Sequence, residues 1–408
     1  MKIGILTQPL WANYGGSIQN FALQTFLKKL GHEPVTLRAV PFPRLPNGPQ
    51  KLLWRKIFAR RISFKKRVVR AGLFFYRAGT FFLGDWWAID FAVIVLARIL
   101  KTLLGKRRGN VFSRCGNGET PEFKAFHDAW INYRWMNFPP RWKKICDCDA
   151  FVVGSDQVWR PAYNNQNLLT MFLDFARSRK NIRRVAYAAS FGLDNASEFH
   201  PEILKICARL LQKFDAVSVR EDSGVGLCRD YFGVNGAEHL LDPTLLLDAE
   251  DYCRVCASVP ARREDFVASY ILDKSATKTA IVEKVAGTLN CGNAELNGLS
   301  VPEWLAGFRD AQFVVTDSFH GTVFSIIFNK PFIAVGNAAR GMARFDSLLK
   351  MFGLRERLVL LENAGDAEIL ELVQKPVDWQ NVNATRSRER VRSREFLEKA
   401  LGKNSSPN

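Results

Sequence analysis

Residues 2–32 read KIGILTQPLWANYGGSIQNFALQTFLKKLGH, and this opening stretch decides the fold class. The apolar run at 2–7 predicts a short strand, and NYGG at 13–16 predicts a loop. From residue 17 onward the apolar side chains recur at helical spacing until Gly31, a residue typical of a helix end. A strand, a glycine-containing loop and a helix in this order are typical of a doubly wound α/β domain.

The alternation of strand and helix patterns continues through two halves of the chain. Strand patterns occur at 33–40, 150–155, 184–190 and 216–221 in the first half, and at 266–272, 311–319 and 331–336 in the second. Helical patterns separate them, which predicts parallel sheets covered by helices. Asp242-Pro243 interrupts the alternation. We therefore expect one α/β domain at 1–245, a second at 246–375, and a C-terminal helix and tail at 376–408.

Positive charge is concentrated in one part of the chain. The 408 residues include 58 Lys and Arg against 40 Asp and Glu, a formal charge of +18. The stretch 51–114 alone holds 16 basic and two acidic residues. An excess of this size predicts attraction to an anionic partner, such as nucleic acid, a membrane surface or a phosphorylated substrate.

The segment at about 45–118 departs from the α/β pattern and is predicted as a basic, aromatic-rich helical insertion in the first domain. If 86–104 is helical, Asp90, Arg98 and Lys101 share one narrow stripe and the remaining surface is apolar. Such a helix needs either a protein partner or a membrane interface with anionic head groups. Membrane docking is favoured over an ordinary helical subdomain. Nucleic-acid binding is disfavoured because no recognisable nucleic-acid module is present.

Eight cysteines are scattered through the chain, and the first ten residues lack the pattern of a signal peptide. Both features predict a cytoplasmic protein with free thiols, peripheral at the inner face of the cytoplasmic membrane if the insertion docks there. Cys146-x-Cys148 and Cys253-x-x-Cys256 do not form the matched pairs of a zinc site. We predict neither a metal nor a cofactor.

The stretch FVVTDSFHGTVFSIIFNKPF at 313–332 is the strongest candidate for chemistry. Its apolar start predicts a strand that leads into a helix capped by Asp317 or Ser318. The free N–H groups of that helix form an anion site, and Gly321 allows a ligand to approach the backbone closely. His320 beside this site is the candidate catalytic residue. The alternative is a histidine that only caps a buried helix.

Other strand ends carry further candidates. Arg220 follows a predicted strand and suits a phosphate or carboxylate clamp, with an ion pair to a nearby acid as the alternative. Asp156 and Gln157 follow another strand, and Asp156 is either a base toward a hydroxyl or a helix cap. Arg340 and Arg344 lie one helical turn apart and could add positive charge to the same crevice.

Several common catalytic motifs do not occur in this sequence. It has no GxxxxGK[ST] phosphate loop, which disfavours a P-loop nucleotidase. Gly15-Gly16 does not match GxGxxG, so support for NAD binding is weak. The absence of a G-x-S-x-G elbow argues against the common serine hydrolases.

Taken together, ordered blocks of this sequence resemble the polysaccharide pyruvyl transferase family. The blocks are residues 2–32, DAFVVGSDQVWRP at 149–161, RVAYAASFG at 184–192, AVSVREDSG at 216–224, LLDPTLL at 240–246, and the stretch from 313 to 337. The resemblance implies two Rossmann-like α/β domains facing across a cleft, similar to the GT-B glycosyltransferases. It also implies transfer of a pyruvyl group from phosphoenolpyruvate to a sugar.

The resemblance implies roles for individual residues. The family's histidine and arginine correspond to His320 and Arg220. Asp156, chosen from its position after a strand, is the second catalytic candidate. Some members carry Arg-x-His where this chain has Ser318-Phe319-His320. Arg340 or Arg344 could replace that arginine, or the donor could be held differently. The expected donor-binding residues are Arg220, Ser318, Gly321, Thr322, Arg340 and Arg344. The expected acceptor-binding residues are Asn13, Tyr14, Gly15, Gly16, Gln19 and Gln157.

The expected function is therefore formation of a pyruvate ketal on a lipid-linked or nascent cell-surface saccharide, with phosphoenolpyruvate as donor substrate and no nucleic acid as partner. The insertion at 45–118 would dock the enzyme where such an acceptor resides. Two alternatives stay open at this point: a GT-B-type glycosyltransferase that uses a nucleotide sugar, and a non-catalytic glycan-assembly protein.

Overall fold

The computed structural model describes most of the chain. The described residues are 1–39, 119–136, 147–164, 167–177, 179, 181–336, 342–361 and 365–402. The whole insertion predicted at about 45–118, with its proposed membrane-docking helix, lies outside the described residues, and so does Arg340.

Among the described residues the first sheet has seven strands. They are β1 (Lys2–Leu6), β2 (Glu33–Ala39), β3 (Tyr133–Met136), β4 (Ala150–Val153), β5 (Arg183–Ala189), β6 (Ala216–Val219) and β7 (Glu238–His239). Their order is β3-β2-β1-β4-β5-β6-β7, and the pairings from β2 through to β7 are parallel. The direction of winding reverses between β1 and β4. Ligands of open α/β sheets bind at such a switch point, beside the carboxyl ends of the strands.

The second sheet has five parallel strands. They are β8 (Phe266–Tyr270), β9 (Gly292–Glu295), β10 (Phe313–Thr316), β11 (Phe332–Gly336) and β12 (Leu358–Leu360). The order is β12-β11-β10-β8-β9, with parallel pairing throughout. Here the switch point lies between β8 and β10, as in the flavodoxin-like order. Both sheets are therefore Rossmann-like, and each has one defined edge for ligands.

Helices connect the strands and cover both faces of the sheets. They are α1 (Tyr14–Lys29), α2 (Pro121–Trp130), α3 (Pro161–Asn164), α4 (Pro201–Leu211), α5 (Asp222–Phe232), α6 (Ala249–Val255), α7 (Ala276–Thr288), α8 (Val301–Asp310), α9 (Phe319–Ile327), α10 (Ala343–Phe352), α11 (Asp366–Gln374) and α12 (Trp379–Leu401). All four residues of β4 and all four of β10 are buried. Burial on both faces explains why these strands read as continuous apolar runs rather than as alternating ones.

The C-terminal helix α12 packs against the first sheet and the segment that follows it. The ring of Phe396 lies 6.3 Å from that of Tyr187 on β5. The buried guanidinium of Arg386 donates to the backbone carbonyls of Leu245 and Leu247. These contacts fix the connection between the two sheets, since 245–247 lies between the last strand of one and the first strand of the other.

Contacts divide the chain into two units. One comprises Met1–Leu37, Gly118–Arg134 and Cys148–Asn408, and it contains the carboxyl ends of β1, β4, β6, β8 and β10. The other comprises Arg38–Asn117 and Trp135–Asp147, most of which lies outside the described residues. The domain boundaries predicted at 245/246 and 375/376 remain predictions. In the described part of the chain, no helix is both long and apolar enough to cross a bilayer.

Candidate active site

The loop 154–157 leaves the carboxyl end of β4 at the switch point of the first sheet. Gln19 Oε1 on α1 accepts a hydrogen bond from Ser155 N over 3.1 Å, and Ser155 Oγ donates to Ala188 O over 2.9 Å. Asp156 has a φ of +73°, in the left-handed region where a short polar residue is tolerated. The loop is thus anchored on both sides, by α1 and by β5.

Arg220 follows β6 and connects two carboxylates. Its Nη2 donates to Asp156 Oδ1 over 3.1 Å, and its Nη1 donates to Asp242 Oδ2 over 2.9 Å. The guanidinium carbon lies 4.5 Å from the centre of the Phe319 ring, and the side chain is 1% exposed. Arg220 thus forms ion pairs with these two aspartates, which is the alternative to a free anion clamp that the sequence left open. Its Nε has no hydrogen-bond partner among the described residues.

Asp242 joins segments that are distant in the chain. Its Oδ1 accepts from Thr244 N and Oγ1, over 3.0 and 2.7 Å. Its Oδ2 accepts from Ser155 Oγ over 3.0 Å and from Arg220 Nη1, and it lies 3.8 Å from His320 Nε2. Burial raises the pKa of Asp242, but His320 and Arg220 outweigh burial and bring it below the ordinary value. Asp242 is ionised at neutral pH.

Asp242 was not among the predicted site residues. Its apolar run LLDPTLLL was interpreted as a break between the two halves and as one block of the family resemblance, with no role predicted for the carboxylate. A usable signal was nevertheless present, because a carboxylate in an apolar run becomes buried and must then find a cationic or hydrogen-bonding partner. The partner itself cannot be identified from the run.

His320 stands at the first turn of α9, which follows β10 at the switch point of the second sheet. The residue is 7% exposed, and its Nε2 has no hydrogen-bond partner in the described part of the chain. A methyl group on Gly15 of α1 would lie only 2.0 Å from Nδ1 of the ring. Burial lowers the pKa of His320, although Asp242 opposes this shift. The ring is neutral at neutral pH and lies between Gly15 and Asp242.

The other residues of the Ser318–Thr322 turn support the start of α9. Ser318 Oγ accepts from Gly321 N over 3.4 Å, and Thr322 Oγ1 donates to Ser318 O over 3.2 Å. A methyl group on Gly321 would lie 2.2 Å from Thr316 Oγ1, so this glycine packs against the end of β10. These contacts show how the turn is built; donor binding by Ser318, Gly321 and Thr322 remains a prediction.

Asp317 does not cap α9, and Ser318 alone takes that role among the two candidates. Asp317 Oδ1 accepts from Leu272 N over 2.6 Å, and its Oδ2 accepts from Asp273 N over 3.0 Å. Lys278 Nζ on α7 donates to the same Oδ2 over 2.7 Å. Asp317 thus fixes the loop after β8 next to the turn that carries His320.

Arg344 on α10 brings a second buried guanidinium to this region. The guanidinium carbon lies 5.8 Å from the Phe319 ring centre, on which Arg220 also lies. Burial and the charge of Arg220 lower the pKa of Arg344 to about 10, so the side chain remains charged at neutral pH. The structure therefore places Arg220 and Arg344 around one aromatic ring, next to His320.

The predicted acceptor residues occupy different positions. Asn13 Oδ1 accepts from Gly16 N over 3.2 Å and caps α1. Gln19 supports the 154–157 loop, and Gln157 Oε1 accepts from Arg160 Nη1 over 3.1 Å. Gly15 lies against His320, since a methyl group at this position would collide with the imidazole ring.

Tyr14 points away from this cluster. Its ring stacks on Trp304 at a centroid distance of 5.0 Å, and its hydroxyl donates to Leu299 O. Burial raises the pKa of Tyr14 to about 12. Its side chain belongs to the aromatic core between α1 and α8, and the structure does not bring it to the other candidate residues.

Glu221 is a further buried acid beside the site. Its Oε1 accepts from Phe191 N over 2.7 Å and from Gly192 N over 3.3 Å. Burial raises the pKa of Glu221, and Arg220 opposes that shift.

No group of three or more His, Cys, Asp or Glu residues that could hold a metal ion occurs among the residues described.

A family model for polysaccharide pyruvyl transferases matches residues 13–338, which include the 154–157 loop, Arg220, Asp242 and His320. The chain belongs to the polysaccharide pyruvyl transferase family. It is accordingly a transferase, and its family supports a pyruvyl group as the transferred unit and a glycan as the acceptor. No curated protein matches this transferase in sequence.

Several solved structures are similar to this pyruvyl transferase family member to different degrees. UDP-GlcNAc 2-epimerase from Neisseria meningitidis, bound to UDP-GlcNAc, superposes with a TM-score of 0.50 at 9% identity, over 98% of this chain and 100% of that one. The epimerase from Methanocaldococcus jannaschii gives 0.43 at 12% identity, over 93% of each chain. An α-glucosyltransferase in complex with UDP and DNA gives 0.38 at 12% identity, over 98% and 96%. The first of these supports the GT-B-like fold predicted from the sequence.

Proposed function

We propose that this transferase moves the pyruvyl unit of phosphoenolpyruvate onto two hydroxyls of one saccharide, forming a cyclic ketal and releasing inorganic phosphate. Family membership supports the pyruvyl group and the glycan acceptor. The observation that carries the proposal is the convergence of Arg220, Arg344 and His320 at the carboxyl ends of the strands. Two guanidinium groups and a helix N-terminus suit a donor with a phosphate and a carboxylate.

The charges at the site suggest how the donor is received. Arg220 is already balanced by Asp156 and Asp242, so its charge is not available without rearrangement. The donor anion would compete with Asp156 for Nη2, since Asp156 is the more exposed carboxylate of the two, at 10% against 0%. Once released, Asp156 would become more basic, because its pKa is held low chiefly by Arg220 against the effect of burial. It could then accept a proton from an acceptor hydroxyl.

Whereas Asp156 would accept a proton from the acceptor, His320 would donate a proton to the donor. Its pKa is lowered by burial in the free enzyme, but a bound phosphate beside the ring would favour the imidazolium. The imidazolium would donate a proton to C3 of the enol as the first hydroxyl oxygen bonds to C2. Phosphate then leaves from C2 and the second hydroxyl oxygen closes the ring. Of the two protons lost by the hydroxyls, one balances that gained by C3 and the other leaves on phosphate.

The test is incubation of the purified protein with phosphoenolpyruvate and a panel of saccharides, with measurement of released phosphate and sugar mass. We expect acceptor-dependent phosphate release, together with a sugar that has gained one pyruvyl ketal. His320→Asn should lack this activity while remaining folded. Consumption of a nucleotide sugar without phosphate release from phosphoenolpyruvate would instead support glycosyl transfer and refute the proposal.

We further propose that the acceptor is lipid-linked or nascent at the inner face of the cytoplasmic membrane. The support comes from the 16 basic residues and the apolar stretches at 51–114. Deletion of 51–110 should reduce binding to vesicles that contain anionic lipid, whereas binding to neutral vesicles should be weak for both proteins. Equal binding of the full chain and the deletion variant to anionic vesicles would refute membrane docking by this segment.

A further inference from the structure

We infer that Gly15 is a positioning residue for His320: its missing side chain provides the space in which the imidazole sits opposite Asp242. This inference rests on the proposed function for the role of His320. It assigns Gly15 a role different from the acceptor binding expected from the sequence. The contact joins α1 of the first sheet to α9 of the second, over more than 300 residues of chain.

The distances leave no room for a side chain at Gly15. A methyl group would lie 2.0 Å from Nδ1, 2.5 Å from Cε1 and 2.7 Å from Cγ of His320. All three distances are shorter than van der Waals contact, and the atoms belong to the body of a ring rather than to a flexible chain end. The ring would therefore have to turn away as a whole.

On its opposite side the imidazole faces Asp242, so a rotation of the ring would change this contact. Nε2 lies 3.8 Å from Asp242 Oδ2, the same oxygen that accepts hydrogen bonds from Ser155 and Arg220. Of the charged groups around the ring, Asp242 and Asp156 favour its protonation, whereas Arg220 and Arg344 oppose it. A ring that leaves this position loses the carboxylate that stabilises the imidazolium.

Gly16 provides a matched comparison within the same turn. A methyl group there would lie 3.3 Å from Nδ2 of Asn13, the cap of the same helix, and would not meet His320. Gly15→Ala and Gly16→Ala add one carbon each at adjacent positions of α1. Only the first of the two variants should move the imidazole.

The test follows the ring of His320 by NMR, in protein labelled with ¹³C and ¹⁵N at its five histidines. The His320→Asn variant assigns the resonance. We expect Gly15→Ala to shift the His320 signals and to move its pKa upward toward the ordinary value, because the ring leaves its buried position. Gly16→Ala should leave the His320 signals in place. Unchanged His320 signals in Gly15→Ala would overturn the inference, whatever the activity of the wild-type protein.

Stability provides a second readout that needs neither NMR nor substrate. Gly15→Ala should lower the melting temperature in the wild-type background but much less in His320→Ala, where the imidazole no longer occupies the space. If Gly15→Ala lowers the melting temperature equally in both backgrounds, the inference is overturned. This comparison applies even if Gly15→Ala alone is too unstable for labelling. Gly287→Ala, an exposed helical position with nothing within 4 Å of the added carbon, should show no coupling to His320→Ala.

Kinetics separate the positioning role from acceptor binding. If wild-type protein releases phosphate from phosphoenolpyruvate, Gly15→Ala should reduce kcat on the order of 100-fold, the effect expected when a reacting group is misplaced by about 1 Å. The KM for the saccharide should change little. A raised KM for the saccharide with an unchanged kcat would show that Gly15 contacts the acceptor instead. An inactive wild-type protein would count against the proposed function and not against the position of the ring.

Discussion

Arg220 and Asp242 form an ion pair whose two side chains are almost fully buried, at 1% and 0% exposure, with Nη1 donating to Oδ2 over 2.9 Å. The arginine ends a strand of the first sheet, and the aspartate lies on the connection to the second. The same oxygen of Asp242 lies 3.8 Å from His320 Nε2. One buried carboxylate thus links the arginine of one sheet to the histidine of the other.

Asp242→Ala should cost about 3–5 kcal/mol of folding stability, because removing one partner leaves the guanidinium of Arg220 buried with one counter-charge fewer. Urea unfolding followed by circular dichroism measures the change. Asp230→Ala removes the partner of Arg229 at the surface and should have little effect. A similar loss of stability in both variants would contradict a special contribution of the buried Arg220–Asp242 ion pair to folding.

The stability of the protein should fall as the pH drops below about 6.5, partly because of His320. Burial keeps its folded pKa below the ordinary value of 6.5, so the unfolded chain binds a proton that the folded protein excludes. The contribution of His320 to the unfolding free energy is fully present above pH 6.5 and is lost as the pH falls through the folded pKa. His320→Asn should therefore show a shallower decline of the unfolding free energy between pH 7.5 and roughly 5.5. Parallel curves for the variant and the wild type would exclude this contribution.

Glu221→Gln should stabilise the protein at neutral pH. Burial raises the pKa of Glu221, so stability is greatest below its ordinary value of 4.5 and decreases as the pH rises through the folded pKa. Glutamine keeps an oxygen for the N–H groups of Phe191 and Gly192 and carries no charge. The gain should be present at pH 7 and absent near pH 4 in urea unfolding. Destabilisation of equal size at both pH values would be the contrary result.

Arg344→Ala should weaken binding of phosphoenolpyruvate by about 10- to 100-fold, the range expected when a charge-assisted hydrogen bond is lost. The measured quantity is the KM for the donor, or its dissociation constant by calorimetry. Lys350→Ala removes an exposed cation from the same helix and should leave donor binding unchanged.

The position of Arg344 near the turn at Ser318 suggests a rescue experiment. Ser318→Arg restores the Arg-x-His pattern of some family members at the head of α9, at the expense of the helix cap. In the Arg344→Ala background it should recover part of the donor affinity. Unchanged donor affinity in Arg344→Ala would show that Arg344 does not hold the donor, whatever Ser318→Arg adds.

Most strands and the longer helices could be predicted from the sequence, because buried parallel strands and amphipathic helices differ in local pattern. The strand predicted at 266–272 contains β8, and the strand predicted at 331–336 contains β11. The two-residue strand β7 and the polar, mostly exposed β9 escaped prediction, because neither has an apolar run of its own. The helix α8 was likewise not predicted.

The sequence by itself determined which residues end the strands. His320, Arg220 and Asp156 were identified because each follows an apolar run, and the carboxyl ends of parallel strands meet at one edge of a sheet. It also identified the family, through blocks that recur in a specific order. The strand ends and the family blocks can both be recognised from residues that are close together in the chain.

The tertiary structure alone decided which of these residues meet. It pairs Arg220 with Asp156 and Asp242, places Gly15 against His320, and turns Tyr14 into the aromatic core. These contacts join residues from 22 to about 300 positions apart, and they depend on strand order and on the packing of segments that are distant in the chain. A local pattern indicates that a charge or a glycine will be buried, but only the packed chain determines what lies next to it.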